Sequence, residues 1–133
     1  IRKRGILKVA LPPPKPPFQN YIKELRAPTG FNVALAGEFA RILEVKPNFT
    51  FMKPAPHPGR QRAPAGFDIY FMEPGEHTCP SGNSVKYFFA GPGTGWYAAC
   101  LEGGVELAGA FKNTLFYLTE TGIYSQLYAD YFE

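Results

Sequence analysis

No apolar run in this chain approaches the roughly 18 to 20 residues that a membrane-spanning helix requires, so no transmembrane segment is expected. Charge of either sign is sparse. Lys and Arg number 14 against 11 Asp and Glu, a net charge of +3, and the basic residues are scattered apart from "IRKR" at the start. That pattern lacks the clustered basic stripe of a nucleic-acid-binding domain. Histidine is nearly absent: His57 and His77 have no partner at H-x-x-x-H spacing. Glu76, His77 and Cys79 lie too close together in sequence to build a good tetrahedral site, so no metal is expected. "GPGTGW" has glycines but no G-K-[ST], which argues against a phosphate loop. Ser81 and Ser84 lack a G-x-S-x-G context, and nothing nominates a base for Cys100. The chain therefore reads as non-enzymatic, with no catalytic residue and no cofactor. Cys79 and Cys100 are its only cysteines, and two readings stay open: separate buried thiols, or a pair closing a loop of roughly 20 residues.

What is present is apolar and punctuated. The 133 residues are 45% hydrophobic and 16% aromatic, enough for one domain with a real core, while 14 prolines and 14 glycines require much loop. "ILKVAL" predicts a first strand with Leu7, Val9 and Leu11 on one face. It stops in "PPPKPPFQ", where prolines remove ladder donors and fix φ, so neither strand nor helix continues. "FQNYIKELRAPTG" reads as loop. "GFNVALAGEFARILEV" carries a helical stripe of Phe31, Val33, Leu35, Phe39, Ile42 and Leu43, with Asn32 as candidate N-cap. "KPNFTFMK" predicts a second strand. "GFDIYFM" predicts a third, apolar nearly throughout, as a central strand covered on both faces should be. Strand, helix, strand is a βαβ unit, with its two strands parallel neighbours. In "PAPHPGRQRAPAG" the prolines leave no room for a second crossover helix, so one covering helix is expected to be missing. Residues 76–104 read as mostly loop. "GVELAGAFKNTLFYLTETG" predicts an amphipathic helix through Leu107, Phe111, Leu115 and Leu118. Gly122 breaks it, and "IYSQLYADYFE" forms a last helix.

Taken in order, these motifs resemble bacterial extracellular solute-binding proteins of family 3, the polar amino-acid binders of ABC importers. "RGILKVALPPPKPPFQ", "TGFNVALAGEFARILEVKPNF", "GFDIYFM" and "ELAGAFKNTLFYLTETGIYSQLYADYF" carry the likeness, over roughly the first 53 residues, a short middle strand and the last 28. The resemblance implies an α/β fold with a parallel-sheet βαβ lobe like lobe 1 of a type 2 periplasmic binding protein. It also implies a periplasmic or otherwise extracytoplasmic location, with the signal peptide removed. Ligands of open α/β sheets sit beyond the carboxyl ends of the strands, which gives the stiff proline segment a role at a cleft mouth.

The departures are as informative. Family members insert a second lobe before the closing helices and close both on the ligand; here that insertion shrinks to something like "GTGWYAACLEGG". The second lobe is thus expected to be absent. The single lobe divides into residues 1–75 as βαβ-β core, 76–104 as an irregular segment and 105–133 as C-terminal helices. The family's "G-M-T-x-T-x-x-R", whose arginine grips the ligand carboxylate, is replaced by "EPGEHTCPSGNS" with Glu73 and Glu76. The favoured expectation is an accessory or scaffold subunit docking on other proteins of an extracytoplasmic or membrane-anchored complex, through Tyr87, Phe88, Phe89, Trp96 and Tyr97. On that reading a free amino acid leaves the melting temperature unchanged. The alternative is a reduced solute-binding protein for an ABC importer, holding a small polar, amino-acid-like ligand with Lys15, Phe18, Tyr70 and Glu73. Because an irregular segment most needs a staple, a Cys79–Cys100 disulfide is expected.

Overall fold

A computed structural model of the chain describes residues 5–12, 18–22, 27–52, 66–72, 79, 82–93 and 95–132. The elements are β1 (Ile6–Leu11), β2 (Asn20–Ile22), β3 (Ala27–Thr29), α1 (Phe31–Ile42), β4 (Lys46–Phe51) and β5 (Ile69–Met72). They continue with β6 (Ser84–Phe89), β7 (Trp96–Leu101), α2 (Gly104–Glu120) and α3 (Ile123–Phe132). β2 and β3 form a small antiparallel ladder, and the other strands make one five-stranded sheet in the order β4-β1-β5-β7-β6. This is the expected α/β lobe, a βαβ unit with β1 and β4 parallel and in register from Ile6↔Lys46 to Leu11↔Phe51.

Strand period explains the core. Leu7, Val9 and Leu11 are buried in the larger hydrophobic cluster with Phe31, Leu35, Phe39, Phe111 and Leu118 from the helices. Ala10 alternates to the other face, where it joins Tyr70, Met72 and Cys100 in a second cluster. β5 is buried throughout because Ile69 and Phe71 pack into the main cluster on one face and Tyr70 and Met72 into the second on the other. Helices α1 and α2 meet on the main face through Phe39 and Phe111, ring centroids 5.1 Å apart. Gly122, at φ 81°, turns the chain between α2 and α3.

Several expectations need correction. Residues 84–101, read as part of an irregular segment, form an antiparallel hairpin, β6 and β7, and the stretch "WYAACL" is a sheet strand rather than the remnant of an insertion. The connection between β6 and β7 is closed by a 2.9 Å bond from the Ala90 N–H to the Gly95 carbonyl. The segment read as loop around Tyr21 and Pro28 contains β2 and β3. Asn32 is not the cap of α1; Gly30 holds that position, with no side-chain capping bond. The segment expected to lack a covering helix lies at residues 53–65, outside the described residues.

Candidate functional site

Strand directions define one edge. β1, β4 and β5 run parallel, while β7 runs against both β5 and β6. β6 therefore points the same way as β5, and Leu11, Phe51, Met72 and Phe89 all end at one edge. The first residue of β7, Trp96, and the N-terminus of α1 lie there too, since α1 returns the chain to the start of β4. Ligands of open α/β sheets bind at this kind of edge. Lys15 and Glu73 lie outside the described residues; in sequence they follow β1 and β5 respectively.

Phe18 does reach this edge, but it turns inward. Its ring stacks on Tyr97 at 4.2 Å and meets Phe88 and Phe132 edge-on at 5.3 and 5.1 Å. The backbone explains how it is held. The Asn32 N–H donates to the Phe18 carbonyl at 2.8 Å, and Gly30 passes so close that an added Cβ would stand 2.5 Å from that carbonyl oxygen. Beneath it runs a buried polar chain. The Asn32 amide donates to Gln19 Oε1 at 2.8 Å, and the Tyr87 hydroxyl donates to Asn32 Oδ1 at 2.6 Å. Tyr70, by contrast, is fully buried on the opposite face among Ala10, Met72 and Cys100. The structure thus does not bring Phe18 and Tyr70 together.

Tyr124 completes the inner wall, its hydroxyl donating to the Tyr87 carbonyl at 2.6 Å. Burial, with a smaller contribution from Tyr128, pushes the Tyr124 phenol from 10.0 up to about 12. The unfolded chain therefore loses this proton first, and stability should be complete below pH 10 and fall as pH rises toward 12. In denaturation curves across that range, Tyr124→Phe should show a shallower alkaline decline than the parent chain. Parallel declines would contradict the assignment.

The aromatic set splits. Tyr87, Phe88 and Tyr97, expected in a docking surface, are buried in the main cluster, because a bulge between Lys86 and Phe88 turns both Tyr87 and Phe88 toward the helices. Only Phe89 and Trp96 of that set remain exposed, at 50% and 46%, with ring centroids 5.1 Å apart. Cys79 and Cys100 form the expected disulfide, with Cα atoms 5.6 Å apart. Among the described residues no three His, Cys, Asp or Glu side chains gather as a metal site, and no helix is long and apolar enough to cross a membrane. His57 and His77 lie outside the described residues. Two open recesses lie away from the carboxyl edge. One, of about 550 Å³, is lined by Arg41, Asn113 and Tyr117; the other, of about 430 Å³, is lined by Ile6, Lys46 and Pro47.

No family model and no curated protein matches the chain. Solved structures do. The arginine-bound form of domain 1 from TmArgBP is 24% identical, with a TM-score of 0.62 over 89% of this chain and 97% of that one. A mutant of ArgBP from T. maritima is 16% identical, with a TM-score of 0.72 over 99% and 97%. The substrate-binding protein of an amino acid ABC transporter is 14% identical, with a TM-score of 0.64 over 96% and 99%. The fold is that of one lobe of an amino-acid solute-binding protein.

Proposed function

We propose that this chain is an extracytoplasmic, non-enzymatic single lobe that holds a small polar, amino-acid-like solute at the carboxyl edge of its sheet, as a binding component for an ABC importer. The supporting observation is a solved single domain, bound to arginine, that matches this chain over nearly the whole length of both. In that protein a single domain is seen with an amino acid bound. Lys15 and Glu73 are the proposed charged contacts. Phe18 and Tyr70, both buried, support the edge from behind rather than touch the solute. The Cys79–Cys100 disulfide suits an oxidising compartment.

The competing reading, an accessory subunit docked on a larger complex, has less behind it. A specific interface needs about 800 Å² per partner. Half-exposed Phe89 and Trp96 offer about 200 Å² together, given the area such rings carry. That suits a small molecule better than a protein.

Melting temperatures with a panel of free amino acids test the proposal. A solute at about one hundred times its Kd should add about 2.7 kcal/mol, a saturable rise of roughly 10 °C. A flat response across the panel would remove the solute-binding reading and return accessory docking to first place.

A further inference from the structure

The bulge in β6 does more than bury Tyr87 and Phe88. By inserting one residue between the pairs Lys86↔Ala98 and Phe88↔Tyr97, it returns Phe89 to the face that carries Lys86. Phe89 pairs directly with Trp96, and strand alternation puts Trp96 on the same face as Ala98 and Cys100. One partly exposed strip results. Phe89 and Trp96 stand side by side at the carboxyl edge, and Lys86 and Ala98 form the next pair inward, about 7 Å along the strands. Lys86 is exposed, and among the described residues no acid pairs with it. Met72 of β5 pairs with Ala98 from the other side, so the strip borders β5.

Resting on the solute-binding reading above, we infer that Lys86, Phe89 and Trp96 form a ligand shelf for an aromatic carboxylate, of which an aromatic amino acid is the amino-acid-like case. The two tilted rings supply π faces for a flat ring to lie against. Ala98, being small, leaves space between the rings and Lys86. The Lys86 ammonium meets the carboxylate as a point charge, in place of the arginine missing after β5. A guanidinium side chain fits less well, because Lys86 repels it where the rings would attract it. A partner's strand fits less well too: β6 is the outermost strand, but its bulge distorts the pairing edge.

Trp96 is the chain's single tryptophan, so its emission reports this shelf alone. L-phenylalanine should change that emission saturably, with the same Kd by calorimetry, and should bind more tightly than L-arginine. In calorimetry, Trp96→Ala and Lys86→Gln should each weaken L-phenylalanine about tenfold, and Trp96→Phe should recover most of the loss. Because both side chains are exposed, the unliganded variants should melt within a few degrees of the parent. If L-arginine binds and L-phenylalanine does not, or if Trp96→Ala binds L-phenylalanine unchanged, the shelf is wrong while the solute-binding reading stands. If no amino acid binds the parent chain, both fall. If sedimentation shows self-association that Trp96→Ala abolishes, the shelf's occupant is a second copy and the inference is overturned.

Discussion

Gly30→Ala is expected to lower the unfolding free energy by about 4 kcal/mol, which can empty a marginally stable domain of its native state. Two costs add. Gly30 sits at φ 125° and ψ 175°, a region that side-chain-bearing residues occupy only under strain of about 1 to 3 kcal/mol. Its Cβ would also stand 2.5 Å from the Phe18 carbonyl oxygen and 2.9 Å from the Gln19 Cα. Those are backbone atoms, so no side chain can swing aside. Relief would break the 2.8 Å bond from the Asn32 N–H to Phe18 and shift the chain entering α1. Gly37→Ala is the matched control, since Gly37 lies inside α1 with nothing within 4 Å of its added Cβ. It should gain up to about 1 kcal/mol from helix propensity. Urea denaturation of the two variants side by side checks both signs, and equal midpoints would contradict the close packing at Gly30.

Removing the disulfide should cost about 3 kcal/mol by the loop-closure relation, applied to a sequence separation of 21. The bridge fixes the chain after β5 to β7 at Cys100, whose Cα partner in the ladder is Tyr70. Without it, the second cluster of Ala10, Tyr70 and Met72 loses one of its ties. Cys79→Ser with Cys100→Ser should melt roughly 10 °C below the parent, and reductant should have the same effect on the parent alone. In the denatured, unreduced chain a thiol assay should find no free thiol. Two thiols per chain would refute the bridge.

Much of the lobe was legible because its elements carry their own periodicity. β1, α1, β4, α2 and α3 each show a strand or helix repeat, and β5 shows the short, continuous apolar run of a central strand. The hairpin was not, because its signals cancel. The bulge between Lys86 and Phe88 breaks the alternation of "SVKYFF", and "WYAACL" has small residues where a strand pattern needs bulk. β2 and β3 have three residues each, too short to show a period, and Pro28 argues against a strand. Asn32 looked like a cap because short polar residues favour that position. Its real partners, Gln19 and Tyr87, lie 13 and 55 residues away, beyond any local reading.

The candidate site was legible only in outline. Its edge followed from topology, but which way each side chain faces did not. "IYFM" is buried on both faces, so composition alone cannot assign Tyr70 to one of them. The ladder registers set that: Val9↔Ile69 against β1 and Tyr70↔Cys100 against β7. The inward turn of Phe18 likewise depends on Tyr97, Phe88 and Phe132, all distant in sequence. The accessory-subunit expectation put five aromatics on one docking surface. The core absorbed Tyr87, Phe88 and Tyr97 and left Phe89 and Trp96 beside Lys86, while Phe116, Tyr117 and Tyr128 of α2 and α3 are exposed elsewhere.

The central claim is that this lobe, alone, holds a solute at the carboxyl edge of its sheet. An amide-resolved NMR titration of the chain with L-phenylalanine, and with L-arginine in parallel, tests it most directly. The predicted result is saturable one-to-one shifts grouped at the carboxyl edge, at Met72, at Lys86 and Phe89, and at Trp96 and Ala98. An unchanged spectrum with both amino acids, or shifts confined to the recesses at Arg41, Asn113 and Tyr117 or at Ile6 and Lys46, would contradict it.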